Sequence, residues 1–325
     1  MSSLLPVPVT VVTGFLGAGK TTLVNAWLRG YPPDAVAVIV NEHGEAGIDG
    51  ELLAARVRKI IEITGGCVCC STQADLVRAL ERLAHAPSRP KRILVETSGA
   101  ASPAGVIHAI MGGVKRGTHT LDGVVTVVDP TRIGTLVEHD LAREQVGYAD
   151  IVVLSRGDLC DAASSLQARD MVARYNGAAC VVTAAEGVPD AMLAGLETLL
   201  DCRRADFVLP RAPVAPSEHA YESISLFVNG ELDEERFADF MEVELAQFSG
   251  RIFRMKGILA IHGLDERMIV QGVTDLVDVT FGLAWGDAPR TSRLVVVGYG
   301  LDRPSLERAF GACSLASKIM GPRVP

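Results

Sequence analysis

The chain has 325 residues, 48% hydrophobic and 22% charged, with a formal net charge of −8. This excludes a disordered or fibrous chain, and the acidic balance argues against a general nucleic-acid binder, which presents a basic face. No apolar run reaches the roughly 20 residues that cross a bilayer, so no membrane partner is expected.

The first apolar stretch, residues 7–12, lacks a basic flank and runs into glycines, so it reads as a strand and not a secretion signal. Further β-branched apolar runs follow at residues 36–40, 59–63, 92–95, 124–128, 151–154 and 179–182. Most are continuous and not alternating, the pattern of strands covered on both faces in a parallel sheet. Helices are expected at residues 20–28, 73–84, 103–111 and 188–200. Residues 1–205 therefore read as an α/β domain, a mainly parallel sheet flanked by helices. Residues 206–221 carry Pro210, Pro213 and Pro216 and read as a linker. Residues 222–325 read as a smaller α+β domain. Its strands are expected at 223–228, 252–261, 267–271 and 293–297, and its helices at 233–248 and 303–313. Asp302 and Pro304 mark the start of the last helix.

Between the first strand and first helix stands Gly14-Phe15-Leu16-Gly17-Ala18-Gly19-Lys20-Thr21, which matches G-x-x-x-x-G-K-[ST]. Its glycines let backbone N–H groups turn inward around an anion, and the helix N-terminus adds a favourable field. Lys20 would reach the β- and γ-phosphates of a nucleoside triphosphate, and the Thr21 hydroxyl would ligate Mg²⁺. That ion needs a carboxylate at a neighbouring strand end. Glu96, followed by Thr97-Ser98-Gly99, stands where such a group belongs. Gly99 could offer its N–H to the γ-phosphate.

The base is read from Ser155-Arg156-Gly157-Asp158, which follows residues 151–154. Asp158 could accept the guanine N1 and N2 protons, and the Arg156 stem could cover a base face. Ser155 and Arg156 depart from the Asn-Lys-x-Asp common in guanine readers, and a plain strand-end turn would read the same way.

Seven cysteines occur, three of them in Gly65-Gly66-Cys67-Val68-Cys69-Cys70. Without a secretion signal this points to the reducing cytoplasm and to metal or redox chemistry. A helix is expected just beyond, with Ser71 or Thr72 as its cap. Thiolates near a helix N-terminus ionise more readily, and Cys67, Cys69 and Cys70 can converge on one soft cation such as Zn²⁺, Cu(I) or Co²⁺. Three protein ligands leave a position open, as a carrier requires. Redox use or simple packing are the alternatives. Cys160, Cys180, Cys202 and Cys313 are isolated and read as small hydrophobes. Glu42, in Asn41-Glu42-His43-Gly44-Glu45, could touch Mg²⁺ or position the attacking water. Glu42 or His43 could also complete the thiol site. No arginine marks itself as a source of transition-state charge.

The four segments GFLGAGKTT, NEHGEAGID, GGCVCC and ETSG, in that order, closely resemble the CobW family of P-loop GTPases, which handle transition metals. Arg254-Met255-Lys256-Gly257-Ile258, Val270-Gln271-Gly272-Val273 and Gly300-Leu301-Asp302 resemble the same family's C-terminal domain. The resemblance implies GTP hydrolysis coupled to metal binding. It places Gly14, Gly17, Ala18, Gly19, Lys20, Thr21 and Thr22 on the phosphates and Thr21 and Glu96 on Mg²⁺. It puts Cys67, Cys69 and Cys70 on Zn²⁺ or Co²⁺, and Ser71 and Thr72 near the nucleotide. The expected role is a GTP-dependent metallochaperone in the cytoplasm, delivering metal to a client metalloprotein. The competing readings are a nucleotide-gated interaction module and an ATP-using P-loop enzyme.

Overall fold

The computed structural model describes residues 6–32, 35–42, 60–64, 71–113, 117–184 and 221–315. The chain divides into two compact units, Met1–Val172 with Ala179–Leu200, and Asp201–Pro325 with Ala173–Ala178.

The first unit holds β1 (Val7–Thr13), β2 (Val36–Glu42), β3 (Ile60–Thr64), β4 (Arg92–Thr97), β5 (His119–Val128), β6 (Ile151–Leu154) and β7 (Cys180–Thr183). They form one sheet in the order β3-β2-β4-β1-β5-β6-β7, and every pairing is parallel. The central strands are buried almost throughout: all six residues of β4 are covered, Arg92 included, and β1 and β5 each leave one residue partly exposed. That is why they read as unbroken apolar runs. Helices α1 (Lys20–Arg29) and α2 (Ser71–Ala84) follow β1 and precede β4. After β4 comes α3 (Ala104–His108), which runs on as a π-helical turn, Ala109–Gly113. Val12, Leu23, Val24, Trp27, Leu94 and Val125 lie in one core cluster, with Trp27 among the largest fully buried side chains. At the far end of the sheet, buried Arg92 pairs with Asp122 and donates to Thr10 Oγ1 at 2.7 Å.

Three further helices follow in the chain: α4 (Thr135–Glu138), α5 (Asp140–Gly147) and α6 (Ala162–Tyr175). None of them is marked by a strong apolar stripe. In α6 only Ala168 and Val172 are buried, and α5 buries Ala142, Gln145, Val146 and Gly147. The expected helix at 188–200, the linker at 206–221 up to residue 220, and Cys202 lie outside the described residues.

The second unit is a five-stranded antiparallel sheet. Its strands are β8 (Tyr221–Asn229), β9 (Ile252–Leu259), β10 (Glu266–Val273), β11 (Leu276–Ala284) and β12 (Thr291–Tyr299), in the order β11-β10-β9-β12-β8. Strand β11 was not expected. It is an edge strand with Val277, Val279, Phe281 and Leu283 exposed in alternation, so it carries no buried run to give it away. The helix expected at 233–248 is three pieces: α7 (Glu234–Asp239), a π turn (Phe240–Glu244) and a 3-10 turn (Ala246–Phe248). Asp233 caps α7 by accepting from Arg236 N at 3.2 Å. Helix α8 (Arg303–Ala312) is capped by Asp302, which accepts from Ser305 N at 3.2 Å. Phe240, Phe310, Leu306, Ile224, Leu294 and Leu259 share the core of this unit.

Candidate functional site

The loop between β1 and α1 folds as a phosphate-binding loop does. Gly14, Gly17 and Gly19 have φ of 140°, 74° and 102°, a region closed to most side chains. Gly14 is also pressed on β5. A Cβ there would stand 2.2 Å from the Val127 carbonyl oxygen, which is backbone of a buried strand. Lys20 is buried at the start of α1, and its Nζ donates to the Phe15 carbonyl at 3.3 Å, closing the loop across its mouth. The Thr21 hydroxyl donates to Glu96 Oε1 at 2.6 Å. Glu96 is 2% exposed, so its charge lies in a site of low dielectric. A hydroxyl and a carboxylate converging on one point are hard oxygen donors, and that donor set suits Mg²⁺. The two residues named for the ion from sequence are thus neighbours.

Gly99 lies against the same loop. A Cβ on it would meet Leu16 N and Cα at 2.8 Å and Lys20 Nζ at 2.9 Å. Only a glycine lets the Thr97-Ser98-Gly99 turn approach the phosphate loop this closely, and the turn is held from below by Thr97 Oγ1 donating to Thr13 Oγ1 at 2.8 Å.

The base-reading segment sits on the other side. Arg156 adopts a left-handed φ of 52°. It pairs with buried Asp129 and donates through Nη2 to the Gly17 carbonyl at 3.3 Å, fastening this segment to the phosphate loop. Ser155 lies beside Gly19, its Cβ 3.7 Å from where a Gly19 Cβ would stand. Asp158 is exposed in a short 3-10 turn, Gly157–Leu159. The Gly157 N–H donates to Ala184 O at 2.8 Å, and no Cβ would fit there against Thr183 and Ala184. Thr183, at the end of β7, and Ala184 just beyond it therefore pack against Gly157, a contact no single-sequence signal announced.

Other contacts also escaped the sequence reading. Arg132 Nη1 donates to the Leu16 carbonyl at 3.4 Å, Phe15 stacks on His139 with ring centroids 4.8 Å apart, and Arg132 lines a small recess under Phe15 and Leu16. With Arg156, Arg132 makes two guanidinium contacts to carbonyls of the phosphate loop.

Cys67, Cys69 and Cys70 lie outside the described residues, as do His43 and the side chains of Glu42, Ser71 and Thr72. Glu42 closes β2 opposite Thr64 of β3. Helix α2 begins at Ser71, two residues earlier than expected. Strand β3 is the sheet edge, with β2 and β4 between it and β1. At about 4.8 Å per strand the end of β3 is about 14 Å from that of β1. Of the described cysteines, Cys313 lies in the core of the second unit, Cys180 packs partly buried against that of the first, and Cys160 is partly exposed. Burial pushes the Cys313 thiol up to about 11 and raises that of Cys180. Among the described residues no group of three or more His, Cys, Asp or Glu could hold a metal, and no helix is long and apolar enough to cross a membrane.

An all-parallel sheet, a glycine loop wrapped by a lysine, and a Thr–Glu pair at its rim define a P-loop nucleotide-binding domain. The family described as CobW/HypB/UreG, nucleotide-binding domain, matches residues 8–183, and the Cobalamin synthesis protein cobW C-terminal domain matches residues 221–314. The chain belongs to the CobW family. It is 32% identical to a protein named Zinc chaperone CobW of Sinorhizobium sp, over 94% of this chain and 97% of that one. It is 32% identical to Zinc chaperone YjiA of Escherichia coli K12, over 94% and 98%. The solved structure of the Zn(II)-bound YjiA GTPase from E. coli superposes with a TM-score of 0.69 at 26% identity, covering 96% of this chain and all of that one.

Proposed function

We propose that this protein is a GTP-dependent zinc metallochaperone. As a CobW-family member it is a P-loop GTPase, and relatives that match nearly its whole length are named zinc chaperones. The observation that carries the reading is the position of Cys67, Cys69 and Cys70, immediately ahead of α2 and within the nucleotide domain. Three thiolates beside a helix N-terminus grip a soft cation and leave a fourth position for a client ligand. Zn²⁺ is the cargo; Co²⁺ fits the same sulfur donors.

In this reading residues 14–22 cradle the phosphates, and Lys20 neutralises charge at the β- and γ-phosphates. Thr21 and Glu96 hold Mg²⁺, which when bound offsets charge on the phosphate oxygens. Gly99 offers its N–H to the γ-phosphate, and Glu42 orients the attacking water. Ser155, Arg156 and Asp158 read the base, Asp158 as acceptor and Arg156 as the brace to Gly17. The chain acts in the cytoplasm on a client metalloprotein. GTP orders the thiol loop into ligand geometry, and hydrolysis loosens it.

Two experiments test the assignment. Co²⁺ bound to thiolates gives a charge-transfer absorption; it should appear with the wild-type chain and vanish in the Cys67→Ser, Cys69→Ser, Cys70→Ser variant. Its survival in that variant would remove the carrier site. GTP should outcompete ATP, and Asp158→Ala should erase that preference. A second reading, a nucleotide-gated interaction module, is favoured by the exposed row Val277, Val279, Phe281 and Leu283 on edge strand β11. Under it the triple serine variant keeps full function.

A further inference from the structure

Helix α5 meets the turn that follows Glu96 through one buried amide. Gln145 is 1% exposed. Its Nε2 donates to the Ala101 carbonyl at 3.1 Å and the Gly99 carbonyl at 3.4 Å. The orientation of the amide is fixed by these partners: reversed, its oxygen would face two carbonyl oxygens. The remaining atom, Oε1, is buried, and among the described residues no protein group donates to it. A buried acceptor without a protein donor carries a desolvation penalty, so Gln145 is a poor choice for packing alone. An apolar side chain of that length would fill the space without the penalty.

The amide is held at its root and seconded by its neighbour. Thr126 Oγ1 donates to the Gln145 carbonyl at 2.7 Å, which locks this turn of α5 to β5. Ser102 Oγ donates to Glu144 Oε1 at 2.7 Å, so the same turn is tied again one residue beyond Ala101. The loop so clamped is the one whose Gly99 is pressed against Leu16 and Lys20 Nζ. Gln145 also lines the recess beneath Phe15 and Leu16, and so stands behind the phosphate loop as well as the turn.

From this we infer that Gln145 is a positioning residue for GTP hydrolysis, holding the Gly99–Ala101 carbonyls so that the Gly99 N–H stays aimed at the γ-phosphate. It touches no substrate atom itself. The inference rests on the GTPase reading of this site. GDP has no γ-phosphate beside Gly99, so the clamp should matter for turnover of GTP and little for binding of GDP.

The variant Gln145→Met keeps length and apolar stem and loses the donor. Its kcat for GTP should fall about 10- to 100-fold, the scale set by misplacing a positioned group by up to about 1 Å. The KM for GTP and the affinity for a fluorescent GDP should stay within about 3-fold of wild type. Ser102→Ala, a half-exposed change that leaves the fold intact, should lower kcat in the same direction by a few-fold. It keeps the test decisive should Gln145→Met fail to fold. Unchanged kcat in folded Gln145→Met, or in Ser102→Ala where the former cannot be made, overturns the inference. So does an equal loss of GDP affinity, which would mark a general packing defect. A wild-type chain that hydrolyses no GTP refutes the GTPase reading itself, an outcome distinct from a hydrolysing wild type with an indifferent Gln145→Met.

Discussion

Replacing Glu96 by Gln is the sharpest probe of the nucleotide site. The change keeps the size and shape of a side chain that is 2% exposed, and the amide oxygen can still accept from Thr21 Oγ1, now 2.6 Å away from the carboxylate. What disappears is the negative charge. A carboxylate that holds or orients a metal ligand supports metal affinity or activity by about 10- to 100-fold, or about 1.4–2.8 kcal/mol at 1.4 kcal/mol per factor of ten. The Mg²⁺ concentration for half-maximal GTP turnover should therefore rise about 10- to 100-fold. Binding of GDP in the absence of Mg²⁺ should change by less than about 3-fold, because residues 14–22 still cradle the phosphates. The assay is phosphate release across a Mg²⁺ titration, with mant-GDP fluorescence in EDTA as the control. Thr21→Ser, which keeps the hydroxyl, should behave as wild type. An unchanged Mg²⁺ requirement in Glu96→Gln would show that the Thr21–Glu96 pair is only a brace between α1 and β4.

Three other outcomes follow from the packing. Gly14→Ala places a Cβ 2.2 Å from the Val127 oxygen at φ 140°. Backbone strain of about 1–3 kcal/mol and overpacking of similar size should together cost about 2–6 kcal/mol in urea unfolding, and a loss under about 1 kcal/mol refutes the geometry. Gly113→Ala drives a Cβ to 2.5 Å from Val77 Cγ2, where α2 meets the π turn. It should destabilise by about 1–3 kcal/mol, and Val77→Ala in the same chain should recover most of that by restoring the space. Burial, then Arg89 and His85, hold His119 down at about 4 from its ordinary 6.5. The folded chain keeps it neutral while the unfolded chain protonates it, so its contribution is present above 6.5 and is lost as pH falls toward 4. Between about pH 7.5 and about pH 5 the loss is about 2 kcal/mol, and His119→Gln should flatten that part of the urea-midpoint profile.

The phosphate loop was legible because eight consecutive residues carry its chemistry and the flanking strand and helix are strongly patterned. The place of Glu96 beside Thr21 was legible because a strand end fixes where its side chain goes. Gln145 was not: its role depends on two carbonyls more than forty residues away in the chain, and α5 offers only a short buried face of Ala142, Gln145, Val146 and Gly147. Arg156 was named for its stem, but its head is claimed by Asp129 and Gly17, a tertiary fact no local pattern encodes. Helix α6 and strand β11 were missed for one reason. Each lies at the surface, α6 with two buried residues and β11 with its large apolar side chains outward. Burial periodicity, the main sequence signal, is weak there.

The central claim is that the nucleotide sets how tightly Cys67, Cys69 and Cys70 hold their metal. It is tested most directly by competing Zn²⁺ against a chromophoric chelator with a non-hydrolysable GTP analogue bound and again with GDP bound. A coupling of 1–3 kcal/mol, typical of linked sites, predicts affinity about 5- to 150-fold tighter in the triphosphate state, and the triphosphate analogue should bind tighter with Zn²⁺ by that same factor. Equal Zn²⁺ affinity in the two nucleotide states would contradict the account.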